Sequence, residues 1–279
     1  MSIIMTANYL VATTVPSWIT RIGYENRARG ELISASSEQT NTYKEACTSD
    51  QTFEWWQPSS LPAWWEVDFQ TPTEINYVGI AVHGLGSNSC TVKVQFYAVG
   101  AWWDVAGATA TPTDDTPIMI LFEDKNFERY RIYITGSGAP RIGIIYFGRI
   151  LEMPRPVKWM GHTPAYFNRQ IEKRPTTSER GQRLGTSIIR QGRQASFNVD
   201  LLSETWMRST FDDFIMSAQQ YGYFIAWRPT QFSDEVFFGW TDSAIIPSNT
   251  QGGLTRRMSV EWSMDIHVHD EAEYRAWSS

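Results

Sequence analysis

Cysteine is scarce in this chain. Only Cys47 and Cys90 occur among 279 residues, whereas small domains that depend on disulfides carry four or more cysteines in a regular framework. A disulfide scaffold is therefore excluded, although a single bridge between the two remains open. A reducing folding compartment fits this content at least as well as a secreted one.

Basic charge and long apolar runs are also lacking. The chain has 24 Lys and Arg against 30 Asp and Glu, a net charge of -6, which argues against a general nucleic-acid binder because such proteins displace phosphate counterions with cations. No apolar run approaches the length of a membrane span, so no membrane insertion is predicted. The run from Ile3 to Val15 has no Lys or Arg before Arg21, and without that basic region we interpret it as an arm or strand, not a secretory signal.

Catalytic motifs are missing as well. The sequence contains no Gly-x-Ser-x-Gly elbow, no phosphate-binding loop and no His-Glu-x-x-His, and no spacing marks two carboxylates as partners. We therefore predict neither an enzyme nor a cofactor. One weak metal candidate is the set Asp265, His267 and His269, which would share one face of a strand. A half-buried strand presents a polar face to water in any case, so no metal is predicted.

Aromatic residues, in contrast, are abundant, with 13 Trp, 12 Tyr and 14 Phe. Such residues favour pleated sheets. Apolar and polar residues alternate over residues 91–97 and 129–134, as in strands with one face in a core. Residues 84–88 and 136–138 supply turns. No long amphipathic helix precedes residue 150, so this half predicts a β-sandwich.

A proline-containing connector at residues 151–156 is the best candidate for a domain boundary. It divides the chain into an N-terminal arm or strand (1–30), a β-sandwich (31–152) and a second, mainly β domain (153–279). In the second domain Ser203 is a candidate N-cap for one helix over about 203–221, which Gly222 would stop. Its spacing predicts one apolar face, made of Met207, Phe211, Phe214, Ile215 and Ala218. Residues 260–268 alternate as a strand.

The segment 169–193 is locally basic. It holds seven basic and two acidic residues, a charge of +5 in a chain of net charge -6. Such a run is consistent with a solvated loop. Its length also suits a protruding hairpin that reaches an acidic neighbouring subunit, and both interpretations stay open. The candidate contact residues are Arg174, Arg180, Arg183 and Arg190.

Several segments of the first half resemble, in order and spacing, the discoidin-like (galactose-binding-like, carbohydrate-binding-module-like) domains. The resemblance covers roughly residues 30–150 and implies a jelly-roll β-sandwich. Two departures are Gln70, where the family often has Gly, and the lack of an evident calcium-ligand cluster. The carrying segments are Ile33–Ser37 with Ala46, Asp50 and Trp55-Trp56, then Trp64–Phe69, Ile75–Ile80, Val92–Phe96 with Trp102–Val105, Arg129–Ile132 and Ile144–Gly148.

The second half resembles, more loosely, the β-barrel-plus-helix domains of phage distal-tail and tail-tube proteins, through the helix at 203–221, the strand at 223–229 and the long C-terminal strand. The two resemblances together imply a structural virion protein of a phage tail tip or baseplate. Such a distal-tail hub would be assembled in the host cytoplasm as a ring, with a hexamer favoured, and would contact tail-tube and hub proteins. The alternative is a free-standing carbohydrate-binding lectin, and a carbohydrate-active enzyme has the least support.

Paired tryptophans supply the candidate contact residues. Adjacent strand residues point to opposite faces, so each Trp-Trp pair should place one ring in the core and one outside. An outward ring can stack on a host-surface glycan or pack in a subunit interface. Loops 52–64 and 83–89 are the expected glycan-binding region, joined by a third turn carrying Trp102. The candidates are Trp55, Trp56, Trp64, Trp102 and His83.

Overall fold

The computed structural model describes residues 2–159, 165, 167–241, 243–251 and 256–267. Two sheets dominate it, which confirms the mainly β prediction. The strands are β1 (Ile3–Met5), β2 (Arg21–Gly23), β3 (Leu32–Ala35), β4 (Ala63–His83), β5 (Thr91–Ala98), β6 (Ala101–Ala110), β7 (Ile118–Thr135), β8 (Ile142–Gly148), β9 (Leu151–Glu152), β10 (Arg169–Thr177), β11 (Arg183–Ser203), β12 (Tyr223–Ala226), β13 (Val236–Trp240), β14 (Ser248–Gln251) and β15 (Arg257–Ile266).

Helices are short. Helix α1 (Ala7–Ala12) begins after Thr6, whose side chain accepts a hydrogen bond from the Tyr9 amide, and a 3₁₀ helix covers Lys44–Thr48. The predicted second-domain helix is present as α2 (Glu204–Trp206), a π-helical turn (Met207–Phe211) and α3 (Asp212–Ala218). Its predicted apolar face is buried as expected. The buried residues are Met207, Phe211, Phe214, Ile215 and Ala218.

The first sheet folds over on itself into a sandwich. Its strand order is β3-β4-β7-β5-β6, with β8 beside β4 and β1 beside β7. The long strands β4 and β7 serve both layers, because their pairing shifts between Asp68 and Thr73. Layer one contains β3, β5, β6 and the nearby halves of β4 and β7, and layer two contains the other halves with β8 and β1. Trp65 of layer one stacks on Phe147 of layer two with ring centroids 6.1 Å apart.

The second sheet is an open path in the part of the chain that the structure describes. Its order is β10-β11-β15-β13-β12-β2-β9, with β14 beside β15. The sheet does not have the expected barrel-like shape. In the described residues β10 pairs only with β11 and β9 only with β2, so no pairing closes the sheet. Residues 1–30 enter both sheets: β1 pairs with β7, and β2 lies between β12 and β9.

Aromatic side chains join the two sheets. Phe224 of the second sheet is fully buried and meets Tyr146 of the sandwich edge to face, with ring centroids 5.3 Å apart. The Tyr146 hydroxyl donates to the Gly222 carbonyl oxygen at 3.0 Å. A Cβ atom added to Gly79 would lie 2.6 Å from the Phe224 ring. Close approach at this junction therefore requires glycine there.

A buried arginine fixes the N-terminal segment at the same junction. Arg21 is fully buried, and its Nε donates to the Tyr9 hydroxyl at 2.7 Å and lies 3.4 Å from Glu152 Oε1. The Tyr9 hydroxyl in turn donates to Glu152. Burial raises the pKa of Tyr9 above its ordinary value. The cation is thus paired and hydrogen-bonded, as a buried charge must be.

Candidate functional site

Two of the five candidate contact residues lie in the core. Trp56 and His83 are completely buried. The Trp56 indole donates to the Ser37 carbonyl oxygen at 2.9 Å, and its backbone bridges to Ile142. The Leu85 amide donates to His83 Nδ1 at 3.3 Å. Their assignment as glycan or interface contacts is wrong, because side chains enclosed by the sandwich cannot meet a surface ligand.

The prediction that each Trp-Trp pair has one buried and one exposed ring holds for two pairs. Trp65 and Trp56 are buried while their neighbours Trp64 and Trp55 are partly exposed. It fails for the third pair, since Trp103 is 54% exposed. Trp103 lies beside the β5–β6 turn on an edge strand, where its indole donates to the Ala98 carbonyl oxygen.

Trp102 is far from the loops with which it was grouped. It pairs with Tyr97 next to the turn that joins β5 and β6. Loop 52–62 lies at the opposite end of the layer, where Ala63 pairs with Ile134. The expectation of one loop cluster carrying both is therefore wrong, since the antiparallel register separates them along the length of β5.

Trp64 and Trp102 instead share the outer surface of layer one. We call this surface the arginine–aromatic face. Strand alternation creates it, because the intervening residues, such as Val67 and Ile132, are buried. Its members are Trp64, Glu66, Asp68, Lys93, Gln95, Tyr97, Trp102, Asp104, Arg129, Arg131 and Tyr133.

Arg129 is held between carboxylate and aromatic groups. Its Nε and Nη2 donate to Glu66 Oε1 at 2.7 and 2.5 Å. Its guanidinium carbon lies 4.6 Å from the Tyr97 ring centroid and 5.4 Å from that of Trp102. Cation–π contact and ion pairing together immobilise the side chain.

Arg131 occupies the centre of the face. Its Nε donates to Gln95 Oε1 at 2.6 Å, and its guanidinium carbon lies 4.2 Å from the Trp102 ring centroid and 5.4 Å from that of Tyr133. Burial lowers the pKa of Arg131, yet an arginine remains charged at any ordinary pH. Both arginines therefore hold the Trp102 ring, which also meets Tyr97 edge to face at 5.3 Å.

Asp104 completes the network at the sheet edge. Lys93 Nζ donates to one carboxylate oxygen at 3.0 Å and Gln95 Nε2 to the other at 2.5 Å. These hydrogen bonds, from Gln95 first and then Lys93, lower the pKa of the Asp104 carboxyl. Cations and anions are balanced across the face. The six charged members are Lys93, Arg129, Arg131, Glu66, Asp68 and Asp104.

The arrangement presents flat rings beside fixed donors and acceptors on a rigid sheet. Sheets hold side chains more accurately than loops, and the charge balance suits a neutral ligand with many hydroxyl groups. Sequence reasoning missed Tyr97, Arg129, Arg131 and Tyr133 as site residues. These residues alternate with the inward-facing apolar residues of runs 91–97 and 129–134, and that alternation could have identified them as one outer surface.

A smaller aromatic group lies at the loop end. Trp55 is partly exposed, with the Arg141 guanidinium 5.8 Å from its ring centroid. Phe53 beside it is 68% exposed. The Trp55 carbonyl oxygen accepts from the Tyr43 amide at 3.2 Å. This is the part of the predicted loop region that remains available for contact.

The other sequence candidates are dispersed. Arg174, Arg180 and Arg183 lie on the exposed β10–β11 hairpin, and Arg190 belongs to β11. Asp265 accepts a hydrogen bond from Gln194 at 3.2 Å and the His267 ring meets Trp240 at 6.2 Å. His269 lies outside the described residues.

Among residues that the structure describes, no group of three His, Cys, Asp or Glu side chains is placed to hold a metal ion. Cys47 and Cys90 are both free thiols. No helix in the described ranges is long and apolar enough to cross a membrane.

No family model and no curated protein matches this chain. Among solved structures, it is similar to the family 32 carbohydrate-binding module of C. perfringens NanJ in complex with galactose, at 16% identity over 48% of this chain and 100% of that chain, with a TM-score of 0.39. It is also similar to chitosan-binding module 1 from the chitosanase/glucanase of Paenibacillus sp. IK-5, at 16% identity over 45% of this chain and 99% of that chain, with a TM-score of 0.38.

A third similar structure is the Ruminococcus gnavus GH29 fucosidase in complex with fucose, at 13% identity and a TM-score of 0.37. The match covers 45% of this chain and 26% of the fucosidase chain. Two of these three neighbours are carbohydrate-binding modules, and nothing in the comparisons indicates a phage tail or baseplate protein.

Proposed function

We propose that this protein is a carbohydrate-binding, lectin-like protein that holds a neutral glycan on the arginine–aromatic face. The observation that supports the proposal is the Trp102 ring, which Arg129 and Arg131 hold in place on an outward sheet surface. A ring already held in position loses little conformational freedom when a ligand stacks on it. Sugar C–H surfaces complement such rings, and the Asp104 carboxylate and neighbouring amide supply hydroxyl partners.

The layout of the face favours an extended chain of sugars. Trp64 on β4 and Trp102 on β6 are three strands apart, about 14 Å across the sheet. Arg131 on β7 lies between them. Each exposed ring contributes about 1 kcal/mol by analogy with aromatic contacts, so a single site is weak and several copies would bind a cell surface more firmly.

The test is glycan binding by calorimetry or array, with Trp102→Ala as the main variant. The expected loss is about fivefold in affinity, corresponding to about 1 kcal/mol. Trp103→Ala is the matched control, because that ring is adjacent yet outside the face, and it should bind like the unaltered protein. Circular dichroism should be unchanged for both.

Two results would contradict this proposal. If the unaltered protein binds no glycan, the function is wrong. If Trp55→Ala abolishes binding while Trp102→Ala does not, the function stands and the site moves to the loop end.

The ring-forming phage tail role is a second candidate, which we propose on the exposed basic hairpin alone. In that role the chain would be a non-enzymatic hub at the virion tail tip, in contact with tail-tube proteins. Antibody labelling of purified virions in the electron microscope tests it. Label confined to the tail tip is the expected result, and unlabelled virions would exclude the role.

A further inference from the structure

The β10–β11 hairpin projects from the second sheet as a two-stranded arm. Within the part of the chain that the structure describes, its outer strand β10 pairs only with β11, and β11 joins β15 only from Arg193 onward. The turn at Ser178–Gln182 closes with Gly181 at a φ of +79°. Nine residues of β10 correspond to about 30 Å of extended chain.

The described side chains of this arm form no core of their own. Every residue of β10 is exposed, and so are residues 181–188. Exposed apolar side chains include Leu184 at 67%, Ile188 at 49% and Ile171 at 43%. Ile188 is the register partner of Lys173, which lies two residues from Ile171, so these side chains share one face. An isolated two-stranded hairpin is marginal in water, and the apolar residues on this one predict a second surface against which it packs.

The charge of the arm indicates the kind of surface against which it packs. The arm carries +5 while the whole chain carries -6, so the rest of each copy carries -11. Within the described ranges, the side chains of Lys173, Arg174 and Arg180 form no ion pair or hydrogen bond. Their cations are available to an acidic neighbour, and the body of a second copy provides one.

The same charges exclude two arms pairing with each other. A symmetric contact would place Lys173 and Arg174 of one arm against those of the other, and like charges repel. Pro175 also removes one backbone donor from the free edge of β10. The arm of one copy must then contact a different surface of the next. Such a contact is reciprocal in a two-fold dimer, or runs head to tail in a ring or filament.

We infer that the β10–β11 hairpin is a self-assembly arm that docks on the acidic body of a second copy of this chain. This inference is independent of glycan binding. It depends on the exposed apolar residues and on the opposite charges of arm and body.

The experiment is the solution mass of the full chain, measured by light scattering or sedimentation. At low salt the unaltered protein should form dimers or larger assemblies that dissociate as salt screens the charges. The triple variant Arg174→Glu, Arg180→Glu, Arg183→Glu should be monomeric with an unchanged melting temperature. The control Arg141→Glu, Arg155→Glu, Arg257→Glu changes the net charge equally outside the arm, at residues that have no carboxylate partner in the described ranges, and it should assemble normally.

Further variants separate the two parts of the inference. Ile171→Ser with Ile188→Ser should also lower the mass, because the apolar contact is lost while the charge is kept. A monomeric unaltered protein, or an arm variant that keeps the unaltered mass, would overturn the inference.

Discussion

Replacement of Phe224 by Ala tests the junction between the two sheets. The ring is fully buried and meets two other rings, those of Tyr146 at 5.3 Å and Phe238 at 4.8 Å between centroids. Loss of a buried Phe side chain costs about 3–5 kcal/mol, and the cost is highest where neighbours cannot collapse into the cavity. Rigid rings on two sheets surround this site, so we expect about 4 kcal/mol.

Urea unfolding followed by tryptophan fluorescence measures the loss as a shift in midpoint. Phe53→Ala is the matched control, because Phe53 is 68% exposed and surface changes are usually within about 0.5 kcal/mol. A loss below about 1.5 kcal/mol for Phe224→Ala would refute the packing argument, since it is less than a buried Phe can cost.

Gly79 provides an internal check on the same contact. A Cβ atom at this position would lie 2.6 Å from the Phe224 ring, so Gly79→Ala should cost about 1–3 kcal/mol through overpacking. In the Phe224→Ala background that clash is absent, and the cost should fall below about 0.5 kcal/mol. Additive losses would show that the two residues do not meet.

Two further predictions concern thiols and metals. Burial raises the pKa of the Cys90 thiol to about 11 and that of Cys47 further, so fewer thiolates exist at neutral pH. A thiol reagent should react with two groups only after denaturation, and reaction with fewer than two groups in unreduced, denatured protein would reveal a bridge. Chelator treatment should leave the melting temperature unchanged, because Asp265 and His267 fit a solvated strand face, and stoichiometric zinc in purified protein would contradict this.

Local pattern predicted much of the secondary structure. Alternation over 91–97 and 129–134 placed two strands and their inward residues, because a strand exposes every second side chain to the same face. The apolar face of the helix near residue 210 followed from its period for the same reason. The Trp64-Trp65 pair also behaved as adjacent strand residues should, with Trp65 buried.

Contacts distant in sequence decided the rest. Trp56 is buried because its loop bridges to Ile142, and Arg21 is neutralised by Glu152. The arginine–aromatic face combines side chains of β4, β5, β6 and β7, whose register alone brings Arg131 beside Gln95 and Trp102. A single sequence contains the period of each strand but not which strands pair or at what offset. Pairing and offset are set by the burial of both faces at once, and that is a property of the folded chain.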